Sequence, residues 1–134
     1  MVERRPAMPS SKARTVVVLL FAGIFAVMGG LFVAFPRPAA AFYGNATADP
    51  DALFYVRAVG LRDLALSAYL AGLALAGQRR ALSILLSATL LIPMGDLFLL
   101  MASGSATMVH YALHGISLLC FAVLAWWHRS GGAW

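Results

Sequence analysis

The stretch Thr15–Phe35, TVVVLLFAGIFAVMGGLFVAF, contains no charged or amide side chain. At about 1.5 Å per residue, a helix of this length covers the roughly 30 Å hydrocarbon core of a bilayer. Pro36-Arg37-Pro38 ends it, because proline lacks the backbone donor and clashes with the preceding turn. A basic start, an apolar run and Ala39-Ala40-Ala41 also share the outline of a secretory leader. The run exceeds the usual leader core of about 7 to 15 residues, so a retained membrane span is the expected reading.

Three further apolar stretches follow. Leu53–Gly77 is closed by Gly77-Gln78-Arg79-Arg80, and Ala81 to about Ala102 is closed by the turn Ser103-Gly104-Ser105. Met108–Trp127 ends at Trp126 and Trp127, placed as interfacial anchors ahead of His128 and Arg129. Residues 36–52, rich in Pro, Ala, Asn and Asp, read as a loop, and the sequon Asn45-Ala46-Thr47 carries no weight on its own. The expected organisation is a polar cytoplasmic tail over 1–14, a single four-helix transmembrane domain over 15–128 and a short C-terminal tail over 129–134.

Composition agrees. Of 134 residues, 62% are hydrophobic and 11% charged, against about 45–50% and about 25% in soluble domains. The net charge of +5 and pI near 10.2 could suggest nucleic acid. However, Arg4, Arg5, Lys12, Arg14, Arg79, Arg80 and Arg129 flank the spans instead of forming one patch, so no nucleic-acid partner is expected. Those seven lie on one side of the predicted membrane and Arg37 alone on the other, which places both termini in the cytoplasm by the positive-inside rule. The fold class predicted is therefore an all-α integral membrane four-helix bundle, multi-pass, in a bacterial inner membrane. The single cysteine, Cys120, excludes an intrachain disulfide and reads as a small apolar residue. On the first span, Ala22, Ala26, Gly30 and Ala34 recur every fourth residue and predict the face on which a neighbouring helix approaches closely.

Four charges fall inside the spans: Arg57, Arg62 and Asp63 on the second, Asp96 on the third. Unpaired, each would cost about 2.5–3.5 kcal/mol at the bilayer centre, so they must be paired or hydrated. Counted from the predicted outer ends, Arg57 lies roughly 6 Å deep, Arg62 and Asp63 roughly 14–15 Å, Asp96 roughly 10 Å, and His110 and His114 roughly 5 and 10 Å. The turn joining the third and fourth spans sets Asp96 level with the histidines, and an Asp96–His114 hydrogen bond is predicted. In helical phase, Thr107, His110, His114, Ser117 and Phe121 share a face, as do Thr89, Asp96 and Ser103, and as do Tyr55, Arg62 and Tyr69. Arg57 and Asp63 point about 140° and 100° away from Arg62. Arg57 is then expected to snorkel outward, and Asp63 to pair toward the first helix or another subunit. Pro93, ahead of Gly95-Asp96, predicts a kink that frees a carbonyl near the carboxylate.

The pattern Arg57-x-x-Gly60-x-Arg62-Asp63-Leu64, then Pro93-x-Gly95-Asp96, then His110 to His114-Gly115, resembles a family of small four-span membrane proteins known as domain of unknown function 4267, and more distantly the DoxX-like proteins. The resemblance covers roughly residues 15–128. It implies a four-helix membrane bundle and brings no activity or residue roles with it.

Three function classes follow from the residues. The first is a site for a small lipophilic ligand with acid/base chemistry of an isomerase, hydrolase or cyclase type. Asp96 and His114 form its candidate catalytic pair, with His110, Arg62 and Asp63 beside them and Tyr55, Arg57, Tyr69 and Ser117 as substrate-binding residues. It requires no cofactor. A metal-dependent variant would join His110, His114 and Asp96, but the spacing H-x-x-x-H without an adjacent glutamate is weak, and no metal is assigned. The second class is an ion- or proton-coupled carrier or channel, which four spans could form only as a homo-oligomer. The third is an assembly subunit of a membrane complex. Membrane lipids are expected partners in each. A binder should show an enclosed cavity open toward lipid, a carrier a path reaching both surfaces, and an assembly subunit charges used up in pairing with no cavity.

Overall fold

The computed structural model describes residues 11–104 and 106–130, with the backbone only at Ser11. The predicted tail residues 1–10 and 131–134, and Ser105 of the predicted turn, lie outside the described residues. Six helices make up the described chain: α1 Ser11–Ala34, α2 Pro36–Tyr43, α3 Pro50–Leu75, α4 Arg79–Thr89, α5 Leu91–Ser103 and α6 Met108–Ser130. No strand occurs among the described residues. Four helical units are long and apolar enough to cross a membrane: Lys12–Ala34, Pro50–Leu75, Arg79–Ser103 and Met108–Ser130. The fold is thus the predicted all-α membrane architecture. Its first helix begins ahead of Thr15 and takes up Lys12 and Arg14 of the expected tail.

The third span is interrupted at Leu90, where α4 passes into α5. Leu90 N–H bonds the Ser87 carbonyl at 3.3 Å, a tightened turn three residues ahead of Pro93. That is the irregularity the proline predicted, since its ring displaces the carbonyl four residues back.

α1 and α3 run antiparallel in close contact. Gly29 meets Gly60, and a Cβ built on Gly29 would lie 2.6 Å from the Gly60 carbonyl oxygen. Two turns along, the Ser67 hydroxyl donates to the Ala22 carbonyl at 2.7 Å, a polar tie of the kind that joins helices where water is absent. The predicted stripe is correct at Ala22 but out of phase at Gly30, whose Cβ position has no neighbour within 4 Å.

Toward the end of the molecule bearing Arg14 and Arg79, the helices close over a packed core. Val18, Leu70, Leu86 and Phe121 are fully buried there. Phe121 of α6 stacks against Phe21 and Phe25 of α1, with centroids 5.9 and 5.3 Å apart. At the opposite end α2 lies against α1 and α3 and reaches α6 through Tyr43 and His114. The predicted loop 36–52 is therefore part helix. Pro36 occupies its first turn, and Gly44, at φ 107°, ends it. The Asn45 and Gly44 N–H groups return to the Ala40 and Ala41 carbonyls at 3.0 and 3.2 Å, a Schellman ending for which the left-handed backbone favours glycine.

Candidate functional site

Below α2 lies a cavity of about 260 Å³. Its walls are mainly apolar, from Phe25, Met28, Leu66, Ile92 and Phe121, while Tyr43, Arg62, Asp63, Asp96, His114 and Ser117 bring polar groups to it. Ile24, Phe42 and Leu113 also line it and are exposed on the outer surface, so the cavity is open at the side between α1 and α6, beneath α2.

Asp96 and His114 face each other across the α5–α6 hairpin, with Asp96 Oδ2 3.5 Å from His114 Nδ1. That is the outer limit of a hydrogen bond. His114 Nε2 lies 3.3 Å from the Tyr43 backbone carbonyl. A carbonyl oxygen only accepts, so Nε2 carries the proton. Any proton on Nδ1 is then one that Asp96 receives or supplies. The Tyr43 ring packs edge-on against the imidazole with centroids 4.7 Å apart, and its phenol feels the charge of Asp96. Burial first, and then the neighbouring Asp96, raise the Tyr43 phenol well above the ordinary tyrosine range. It is therefore a neutral phenol beside the cavity's polar groups.

Arg62 and Asp63 also belong here. Arg62 Nη2 contacts Asp63 Oδ1 at 3.1 Å and Nε the same oxygen at 3.2 Å. This corrects the expectation that Asp63 would turn to the first helix or another subunit. The buried face of α3 runs through Leu53, Gly60, Asp63, Ser67, Leu70 and Ala74. Asp63 therefore stands on the core stripe and Arg62 one position off it. The long arginine side chain spans the intervening angle and brings its guanidinium round to the cavity.

The same shift displaces two other expectations. Tyr55 and Tyr69 share Arg62's stripe, and without a long flexible stem they stay outside, 69% and 59% exposed. Neither reaches the cavity. Arg57 is exposed and donates from Nε to the Val33 carbonyl at 3.4 Å near the end of α1, away from the cluster. His110 is diverted too: its Nδ1 accepts the Thr107 backbone N–H at 3.0 Å at the start of α6, and its ring lies where a Gly44 Cβ would be. Among the described residues, no three His, Cys, Asp or Glu side chains gather as a metal set.

The residue that sequence reasoning missed is Tyr43. The signal existed in Pro36 and Gly44, eight residues apart, a start-and-stop pair for a short helix that would carry Tyr43 inward at its end.

With this geometry in place, comparison with known proteins adds one finding. The model of the family described as Domain of unknown function (DUF4267) matches residues 22–128. The chain belongs to that family. The matched segment contains the α1–α3 crossing, the lid helix α2, both acidic residues of the cavity and His114. No curated protein and no solved structure matches the chain. The family match does not bear on the DoxX likeness.

Proposed function

We propose that the cavity under α2 is an intramembrane site for a small lipophilic molecule with a polar head, and that Asp96 and His114 are its acid/base pair. The observation that carries this reading is the distribution of polarity within one cavity. Apolar walls would take the body of the molecule, while Tyr43, Arg62, Asp96 and His114 would meet its head. The volume of about 260 Å³ is near the lower end of the roughly 300–1,000 Å³ usual for ligand clefts, which suits a small ligand. The side opening between α1 and α6 gives such a molecule a route from lipid. Chemically, the pair can pass a proton between His114 Nδ1 and Asp96 while Nε2 stays committed to the Tyr43 carbonyl, and Arg62 can stabilise negative charge developing on the head. Isomerisation, hydrolysis and cyclisation all draw on such a set.

We place the protein in a bacterial inner membrane with both termini cytoplasmic, following the distribution of Lys and Arg, and with lipids as its immediate partners. A carrier is less well supported, because the core around Val18, Leu70, Leu86 and Phe121 lies between the cavity and the opposite face. A carrier would need a homo-oligomer to supply a path. The assembly-subunit reading has one observation in its favour, the two paired sets Arg62–Asp63 and Asp96–His114, but it does not explain the cavity beside them.

The test is solvent extraction and mass spectrometry of small molecules retained by detergent-purified protein. Wild type should retain a hydrophobic molecule that Asp96→Asn and His114→Ala lose by at least about tenfold while staying folded, as expected for loss of a charge-assisted contact. Identical extracts, or collapse of both variants on heating, would leave the polar cluster a structural network.

A further inference from the structure

At the other end of the bundle is a second polar cavity, of about 320 Å³, between the start of α1, the α3–α4 turn and the end of α6. Arg14, Arg79 and His128 line it, and no carboxylate does among the described residues. Arg14 is only 9% exposed. Its guanidinium carbon sits 5.6 Å from the centre of the Trp127 ring, so the indole satisfies the face of the cation. A stack leaves the edge unsatisfied: Arg14 Nε is buried with no hydrogen-bond partner. A buried charged donor left in that state carries a desolvation penalty that only an acceptor removes. His128 is fixed by its Nδ1, 2.9 Å from the Leu124 carbonyl, leaving Nε2 for the cavity.

We propose that this cavity binds a phosphate group, that of an anionic phospholipid headgroup in the adjoining leaflet. A guanidinium whose face is covered and whose buried Nε–H has no partner is suited to a phosphate oxygen, and Arg79 adds a second cation. Trp127, at the end of a span, marks headgroup depth. Leu75, exposed at the rim, offers an apolar flank along which an acyl chain can leave the site. The site is independent of the cavity beneath α2, from which the packed core separates it.

The experiment is thermal unfolding of the full chain in a neutral detergent, titrated with dioleoylphosphatidylglycerol, dioleoylphosphatidylcholine or inorganic phosphate. Phosphatidylglycerol should raise the unfolding temperature and phosphatidylcholine should not. Arg79→Gln, at an exposed helix start, and Arg14→Gln should each weaken the phosphatidylglycerol response by roughly tenfold, as loss of a charge-assisted hydrogen bond predicts. Arg129→Gln, exposed and outside the cavity, should leave it unchanged. If Arg14→Gln does not fold, Arg79→Gln alone decides. Stabilisation by inorganic phosphate equal to that by phosphatidylglycerol, and lost in the same variants, would support the phosphate site but overturn the lipid as its source. Equal responses to the two lipids, or an undiminished response in Arg79→Gln, would overturn the proposal.

Discussion

Two adjacent glycines on α1 should respond oppositely to alanine. A Cβ on Gly29 would lie 2.6 Å from the Gly60 carbonyl oxygen and 2.9 Å from both the backbone nitrogen and the side chain of Leu64. Two of those three atoms are backbone, so relief requires α1 and α3 to separate by most of an ångström. A gap of about 0.5–1 Å forfeits a quarter to a half of the dispersion energy across it, and overpacking of this kind typically costs about 1–3 kcal/mol. At Gly30 the same methyl meets nothing within 4 Å, and replacing a mid-helix glycine by alanine gains up to about 1 kcal/mol. Reversible unfolding by sodium dodecyl sulfate, followed by far-ultraviolet circular dichroism, measures both. Gly29→Ala should be destabilised and Gly30→Ala unchanged or stabilised. Gly29→Ala with Gly60→Ala should cost less than the sum, because the first methyl has already parted the helices. Equal destabilisation at Gly29 and Gly30 would refute the crossing described here.

Two predictions concern topology and pH. In a Cys120→Ser background, Asn45→Cys should react with an impermeant thiol reagent in intact cells and Arg79→Cys only after lysis; both sites are exposed, and labelling of both from outside would sink the assignment of the termini to the cytoplasm. Because the Tyr43 phenol is raised above its ordinary value of 10.0, its contribution to stability is fully present below that pH and is lost as pH rises through the folded value. Tyr43→Phe should therefore remove part of the alkaline fall in stability, read from thermal unfolding as a function of pH. An alkaline fall of the same size in Tyr43→Phe would count against the burial of the phenol described above.

The four spans were legible because a bilayer leaves little choice of structure. Thr15–Phe35 has no other stable way to satisfy its backbone in lipid, and its length fixes the crossing. The level of Asp96 with His114 was also legible, since a short turn fixes depth on both sides of a hairpin. What failed was azimuth. A stripe of spacing seven through Tyr55, Arg62 and Tyr69 is as periodic as the true buried face one residue on, through Gly60, Asp63, Ser67 and Leu70. Polarity does not separate the two, because the core face of a membrane helix and its lipid face are both apolar. The same ambiguity put the close helix approach at Gly30 instead of Gly29. The lid was missed for a different reason: an eight-residue helix has little periodicity to read, and only its Pro36 and Gly44 ends announce it.

Charge bookkeeping at the cavity separates the roles of its two neighbouring ions. Among the described residues Arg62 is the one permanent cation lining it, against two carboxylates, Asp63 and Asp96, with His114 beside them. Deleting Asp63 leaves Arg62 and Asp96 in the same cavity, still balanced, and the Arg62 side chain, 38% exposed, is free to turn. Deleting Arg62 leaves two carboxylates with a single histidine, and the Asp63 side chain, 9% exposed, has nowhere to go. Arg62→Met should therefore cost about 3–5 kcal/mol, the range for stranding a buried charge. Asp63→Asn should cost only about 1–3 kcal/mol, that of a lost hydrogen bond. Combining them should return much of the loss, because the stranded carboxylate is then neutral. Denaturation of the three variants in detergent orders them directly. If Asp63→Asn proved as damaging as Arg62→Met, or the double variant were worse than either, the arginine would not be what balances the cavity, and the assignment of Arg62 to stabilise charge on a bound ligand would fall with it.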